Sequence, residues 1–267
     1  MDTLLHRQGS KRRIADRIVP LFPKHDLYIE LFFGAGGLFF NKKKADYNIC
    51  NDINDDIFNL FKILQDVSSC KVLKDYMRSV PISESLFNYW RTHLETDAIK
   101  KAGRFLFLSN YTYLCSGRTL NYGIKNDKQI MLDRLDIYTD YLSDVQFMCC
   151  DFREVLRKVS LRKQDRDIFS RIFIYADPPY LSSSRDTYKT GWSYTDSVDL
   201  FANLVSFSFD NSSKFCISEF ADDTIIELAR KYDLFVTDIG ERQNLQNRRS
   251  EILITNYDTN EINKSLF

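Results

Sequence analysis

The chain has 267 residues, and its lysines plus arginines match its acids at 37 each. That length suits one large domain, or one domain carrying a substantial insertion, and 44% apolar residues support a sizeable core and exclude global disorder. A balanced charge neither announces nor excludes a nucleic-acid binder, because binding needs only a local basic face.

No run of 18 apolar residues occurs, so neither a membrane span nor a membrane partner is expected. The opening "MDTLLHRQGSKRRI" lacks the apolar core of a signal peptide. Six cysteines, at 50, 70, 115, 149, 150 and 216, form no C-x-x-C pair and read as reduced thiols of a cytoplasmic protein. The three histidines, at 6, 25 and 93, are far apart, so no metal site is expected.

In chain order, "LYIELFF" (27–33) predicts a buried strand that ends at "GAGG" (34–37), with "LFFNKKK" continuing as a helix. "YNICND" (47–52) predicts a second strand. Asn54 reads as the N-cap of a helix with Asp55 and Asp56 in its first turn, and Ile57, Leu60, Phe61 and Leu64 recur behind it at helical spacing. Residues 67–110 read as mostly helical. "NYTYLCSGRTLNYGIKNDKQ" (110–129) is polar and aromatic, and reads as an inserted hairpin or loop. "VQFMCCD" (145–151) predicts a strand and 152–160 a helix. "RIFIYAD" (171–177) and "KFCISEF" (214–220) predict strands, with a helix over 222–232 after the second. "LFVTDI" (234–239) and "EILITNY" (251–257) close the chain as an antiparallel hairpin. Strands alternating with helices predict an α/β fold with a mostly parallel sheet.

In such sheets, ligands bind beyond the carboxyl ends of the strands. Glu30 to Gly37, Asp52, Asp151 and Asp177 to Tyr180 all fall at or just past predicted strand ends. A glycine turn there lets a ligand approach the backbone closely, and Gly34, Gly36 and Gly37 form a partial dinucleotide fingerprint. Asp52 stands where an acid commonly accepts from ribose hydroxyls; the alternative is a cap on the next helix. Asp151 is placed to accept from an adenine amine, or to cap 152–160. Together these features suggest an adenosine-type cofactor without phosphates.

"IYADPPYLS" (174–182) adds the chemistry. The exocyclic amine of adenine is a poor nucleophile because its lone pair is delocalised into the ring. Acceptors aimed at both amine hydrogens favour the pyramidal nitrogen that attack on a methyl group requires. Asp177 supplies a carboxylate and Pro178 a carbonyl. Pro178 and Pro179 fix the backbone and donate nothing that competes, and Tyr180 can stack on the base.

The chain resembles the DNA adenine-N6 methyltransferases of the Dam-like D12 class, alpha group, over nearly its whole length. "GSKRRI" (9–14) stands where the family has a glycine–lysine motif. "YIELFFGAGGLFF" matches its E-P-F-x-G-x-G segment, with Leu31 in place of proline. "ICNDIN", "CDFREVL", "YADPPYL" and "NRRSEILITNY" follow in the family order. The resemblance implies a Rossmann-like class I methyltransferase sheet, catalytic over 1–66 and 141–267. An inserted, mainly helical target-recognition domain would cover 67–140. S-adenosyl-L-methionine is the implied cofactor. Lys11, Glu30, Phe32, Gly34, Ala35, Gly36, Asp52, Asp151 and Phe152 would hold it, and Asp177, Pro178, Pro179 and Tyr180 would be catalytic. Double-stranded DNA is the implied partner, with the target base flipped out. A cognate restriction endonuclease is a functional partner by the same implication, and a monomer is expected.

"FLFLSNYTYL" (105–114) resembles the GATC-modifying members, whereas "SGRTLNYGIKNDKQ" lacks their F-N-V-P-x-G ending. Arg118, Asn121 and Lys125 are candidate base readers, since arginine pairs with guanine and asparagine with adenine; the alternative is a solvated hairpin making phosphate contacts alone. Arg248 and Arg249, with Lys11, Arg12 and Arg13, would supply a basic face. The rival functions are an amine methyltransferase acting on RNA adenine and a non-catalytic DNA-binding relative. Cytosine-N4 enzymes usually open the D-P-P-Y tetrad with Ser, and guanine-N2 or protein-glutamine enzymes with Asn. A cytosine-C5 enzyme needs a Pro-Cys pair, which is absent.

Overall fold

The computed structural model describes residues 4–5, 9–113, 117–121, 127–159, 171–181, 191–243 and 248–264. Among them, one seven-stranded sheet runs in the order β3-β2-β1-β4-β5-β7-β6. Its strands are β1 (Leu27–Glu30), β2 (Tyr47–Asn51), β3 (Gln146–Met148), β4 (Ile172–Ala176), β5 (Lys214–Phe220), β6 (Phe235–Gln243) and β7 (Arg248–Thr255). β1 to β5 pair in parallel, while β7 is antiparallel to both β5 and β6. The α/β sheet with a terminal antiparallel hairpin is therefore present. β1 and β4 are buried at every position, as apolar runs covered on both faces should be.

One face carries α1 (Ala15–Ile18), α2 (Asp55–Gln65), α3 (Val67–Ser79), α4 (Glu84–Thr92), α5 (Ala98–Tyr111) and α6 (Asp127–Leu142). They share one buried cluster with Tyr28, Phe33, Phe39 and Phe40; Phe40 lies 4.6 Å from Tyr138 of α6, ring to ring. The other face carries α7 (Phe152–Lys158), α8 (Tyr194–Asn211) and α9 (Asp223–Lys231) around Ile29, Ile174 and Ile217. A short α10 (Thr259–Lys264) ends the described chain. Asn54 caps α2 through a bond from the Asp56 amide, and Ile57, Leu60, Phe61 and Leu64 are its buried face.

Three expectations need correction. The helix expected over "LFFNKKK" is a single 3-10 turn, Phe39–Asn41. Phe39 and Phe40 are both buried as neighbours, and Lys42 is already extended, so the chain turns once and enters β2. β1 ends at Glu30 rather than 33, because the Phe33 amide bonds to Asn51 O (2.8 Å) in place of a ladder partner. β3 spans three residues rather than seven. α8 was not anticipated; its residues are rich in Ser and Asp, and a capping box between Ser193 and Asp196 starts it.

Candidate active site at the strand ends

β4 stops because proline cannot donate to a ladder, and Pro178 follows Asp177 directly. Asp177 is left at the strand end with its side chain 21% exposed. The Lys11 ammonium bonds to its Oδ1 from the segment before β1. Lys11 is itself only 3% exposed and lies 3.2 Å from Glu251 of β7. Its Nζ also sits 4.7 Å from the centre of the Tyr180 ring. Burial, then Asp177 and Glu251, hold the Tyr180 hydroxyl pKa well above its usual value, so it stays a phenol and donates. Its single proton points to Glu251 at 2.5 Å and is shared with Asp177 Oδ1 at 3.2 Å.

Pro178 is buried and Pro179 half-buried. Tyr180 is 8% exposed, with its ring edge-on to Phe220 at 4.5 Å. Stacking on a base, as expected from the sequence, would need this ring to turn or its surroundings to open. Glu219, next to Phe220, is a second buried acid beside Glu251; burial first of all raises its pKa well above the carboxylate range. Its Oε2 accepts from the Phe220 amide, while Oε1 has no hydrogen-bond partner among the described residues.

The glycine loop lies beside this group. Gly34 has φ +54°, a conformation that disfavours any side chain, and among the described residues nothing lies within 4 Å of where a Cβ would stand. A Cβ on Gly37 would meet Ser10 Oγ at 2.8 Å and the Lys11 amide at 3.0 Å, so that glycine lets the Lys11 segment close on the loop. Ala35 is half-buried and Gly36 buried within the same turn.

Asp52 accepts from the Gly34 amide (2.7 Å) and the Asn54 amide (2.9 Å), tying the glycine loop to the start of α2. Asn54, not Asp52, is the helix cap. Asn51, which the sequence reading did not use, clamps the neighbouring strand ends: its amide donates to Leu31 O and Cys150 O, both at 3.0 Å.

Glu30 is buried and accepts from the Tyr28 hydroxyl at 2.8 Å. Burial raises its pKa to about 8, against the pull of Tyr28 and Lys42, with Asp177 and Asp52 raising it further. At neutral pH Glu30 therefore favours its protonated form.

Asp151 caps α7, accepting from the Arg153 amide at 2.9 Å, so the capping alternative is what the structure shows. Arg153 also bonds Asp196 and Asp199 of α8, at 2.6 and 2.8 Å. Phe32, Phe152 and Trp192 form an aromatic trio with ring centres 5.4 to 5.6 Å apart.

The candidate DNA readers lie elsewhere. A bridge between Thr112 and Leu120 forms the base of the expected hairpin, with Arg118 and Asn121 exposed. Lys125 lies outside the described residues. Arg248 is in β7, and Arg249 places its guanidinium 5.7 Å from the Phe220 ring, on the side of the site. No group of metal-ligating side chains occurs among the described residues, and none of their helices is long and apolar enough to cross a membrane.

Sequence reasoning missed Glu219, Glu251 and Trp192. The two acids carried a signal, since each borders an apolar strand run, "FCIS" and "ILI", where a buried charge needs a partner. Trp192 follows a glycine with no periodic pattern around it.

The chain is 28% identical over 205 residues to a DNA adenine methylase of Haemophilus influenzae, covering 69% of this chain and 65% of that protein. It thus spans just under two thirds of that relative. It is 26% identical over 285 residues to the Type II methyltransferase M1.LlaDCHI of Lactococcus lactis subsp. cremoris, covering 93% of each. The modification methylase StsI of Streptococcus sanguinis is 24% identical over 96% of this chain and 43% of its own length. With residues 8–238 matching the family as a whole, the chain belongs to the D12 class N6 adenine-specific DNA methyltransferases.

Proposed function

We propose that the protein transfers a methyl group from S-adenosyl-L-methionine to the exocyclic N6 of a flipped adenine within a specific double-stranded DNA sequence. The observation that carries this reading is Asp177: a part-exposed carboxylate at the end of β4, held by Lys11 and Tyr180 beside an open glycine loop.

The residues present fit the cofactor. The open space at Gly34 gives a backbone shelf, and Asp52 braces it through the Gly34 amide. Phe32, Phe152 and Trp192 offer apolar rings for a purine, with Asp151 at their edge. Glu30, Ala35 and Gly36 complete the loop that would receive the amino-acid end. When bound, the cofactor supplies an electrophilic sulfonium methyl.

Asp177 accepts one hydrogen bond from the adenine amine, and the rigid Pro178 carbonyl accepts the other. The two acceptors favour the pyramidal nitrogen that attacks. Base flipping is required because the amine is otherwise inside the stack. Arg118, Asn121 and Lys125 are the proposed base readers, and Arg248 and Arg249 meet backbone phosphates. The helices within 67–140 would present the readers as a target-recognition unit, on a catalytic unit of 1–66 and 141–267. The relatives named as Type II methyltransferases support a restriction-modification setting, with a cognate endonuclease as functional partner of a monomeric, cytoplasmic enzyme.

The test is methylation of a random-sequence duplex pool with labelled cofactor, read for modified adenines. Label at adenines within one sequence is expected. Label in RNA or protein, with none in DNA, would contradict the proposal.

A further inference from the structure

Glu251 lies outside every residue assigned a role above, yet it touches both groups that hold Asp177. It sits in β7 opposite Phe220 of β5, and its side chain is 1% exposed. One oxygen, Oε1, takes both contacts: the Tyr180 hydroxyl at 2.5 Å and the Lys11 ammonium at 3.2 Å. Lys11 and Tyr180 then each bond Asp177 Oδ1. The result is a closed ring of four side chains drawn from the segment before β1, the turn after β4, and β7.

Two consequences follow from elementary electrostatics. A lysine paired with one buried carboxylate alone would concentrate its charge there and weaken that carboxylate as an acceptor for a neutral amine. With Glu251 opposite, the ammonium is shared between two acids. A buried ion pair also fixes geometry more reliably than it adds stability. Glu251 anchors its partners from a strand inside the sheet, where side-chain freedom is small.

We propose that Glu251 is a positioning residue for N6 transfer: through Lys11 and Tyr180 it aims Asp177 at the adenine amine and preserves its acceptor strength. This deepens the proposed function and rests on Asp177 being the acceptor. Glu219 of β5, also near Lys11 and Asp177, contributes no hydrogen bond to the ring among the described residues.

The test is steady-state methylation by Glu251→Gln, an isosteric change that keeps an acceptor and removes the charge, with Asp177→Ala and Lys11→Met assayed alongside. The expected result is a kcat about 10- to 100-fold below wild type, with KM for DNA and cofactor within about threefold, the signature of an interaction made in the transition state. Glu251→Asp should recover part of the loss. In a Lys11→Met background, Glu251→Gln should lower kcat by less than about threefold further, because residues acting through one another are not additive.

A Glu251→Gln enzyme with wild-type kcat overturns the proposal, and so does one that loses kcat equally in both backgrounds. If Asp177→Ala is inactive in those cases, the acceptor reading stands without Glu251. If Asp177→Ala retains activity, the acceptor reading itself fails.

Discussion

The protein contains two buried sets built from the same three side chains. In one, Tyr180 donates to Glu251 and the Lys11 ammonium sits 4.7 Å from the tyrosine ring centre. In the other, Tyr28 donates to Glu30 and the Lys42 ammonium sits 3.9 Å from the ring centre. The sets differ in what completes them. The first includes Asp177, which reaches solvent at the strand ends. The second is closed by His25, whose Nε2 lies 3.3 Å from Lys42 and whose Nδ1 donates to Pro23 O at 2.7 Å. The same side-chain types reach solvent through Asp177 in one place and are closed off by His25 in the other.

The same change made in each set should have unequal effects. Lys11→Met should lower the transfer rate by about 100-fold or more, on the scale of losing a preorganised charge beside a reacting group. Lys42→Met should leave the rate of the folded, cofactor-saturated enzyme within about twofold, since Lys42 packs on Tyr28 and meets His25 rather than Asp177. Equal losses, measured at matched folded fraction, would show that the closed set is not merely structural.

Next in size is the aromatic trio. Trp192→Ala should weaken cofactor binding by about 10-fold, read by calorimetry, as expected for one lost stacking partner of about 1 to 1.5 kcal/mol. Unchanged affinity would place the purine elsewhere.

The closed set should instead show itself in stability. Burial raises the Glu30 pKa from 4.5 to about 8. The folded state then holds its proton while the unfolded state releases it, so this group's stabilisation is complete below pH 4.5 and is lost as pH rises toward 8. Between pH 6.5 and 8 the loss should be about 2 kcal/mol in denaturant unfolding, and Glu30→Gln should flatten that slope. His25, lowered from 6.5 to about 4 by burial and then by Lys42, acts oppositely. Its stabilisation is lost as pH falls from 6.5 to 4, which offsets Glu30 in that window. The smallest effect belongs to Arg153→Gln. It removes a half-exposed bridge between α7 and α8 and should cost about 1 kcal/mol or less.

The sequence made the open set readable in part. The D-P-P-Y tetrad and the glycine loop are short segments whose residue types announce their backbone geometry, and both lie at the strand ends as expected. Asn54 and the apolar spacing behind it identified α2. Lys11 was placed near the cofactor from the family pattern, but its bond to Asp177 joins residues 166 positions apart, which no local pattern encodes. Glu251 was hidden for the same reason, within a segment valued only as a strand. Lys42 was read among three consecutive lysines outside the glycine loop. Its burial under Tyr28 depends on Phe39 and Phe40 both turning inward, the event that also replaced the expected helix with a single turn. Asp151 was legible as a strand-end acid, while its capping of α7 depends on where that helix begins.

In the proposed reaction Asp177, in the open set, accepts from the adenine amine. Transfer of label from S-adenosyl-L-methionine to duplex DNA by Asp177→Ala, measured beside its cofactor affinity, tests this most directly. Transfer should fall by about 1,000-fold or more while cofactor affinity changes by less than about threefold, the mark of a group that acts on the transition state. Activity surviving at about a tenth of wild type, with cofactor bound normally, would contradict it.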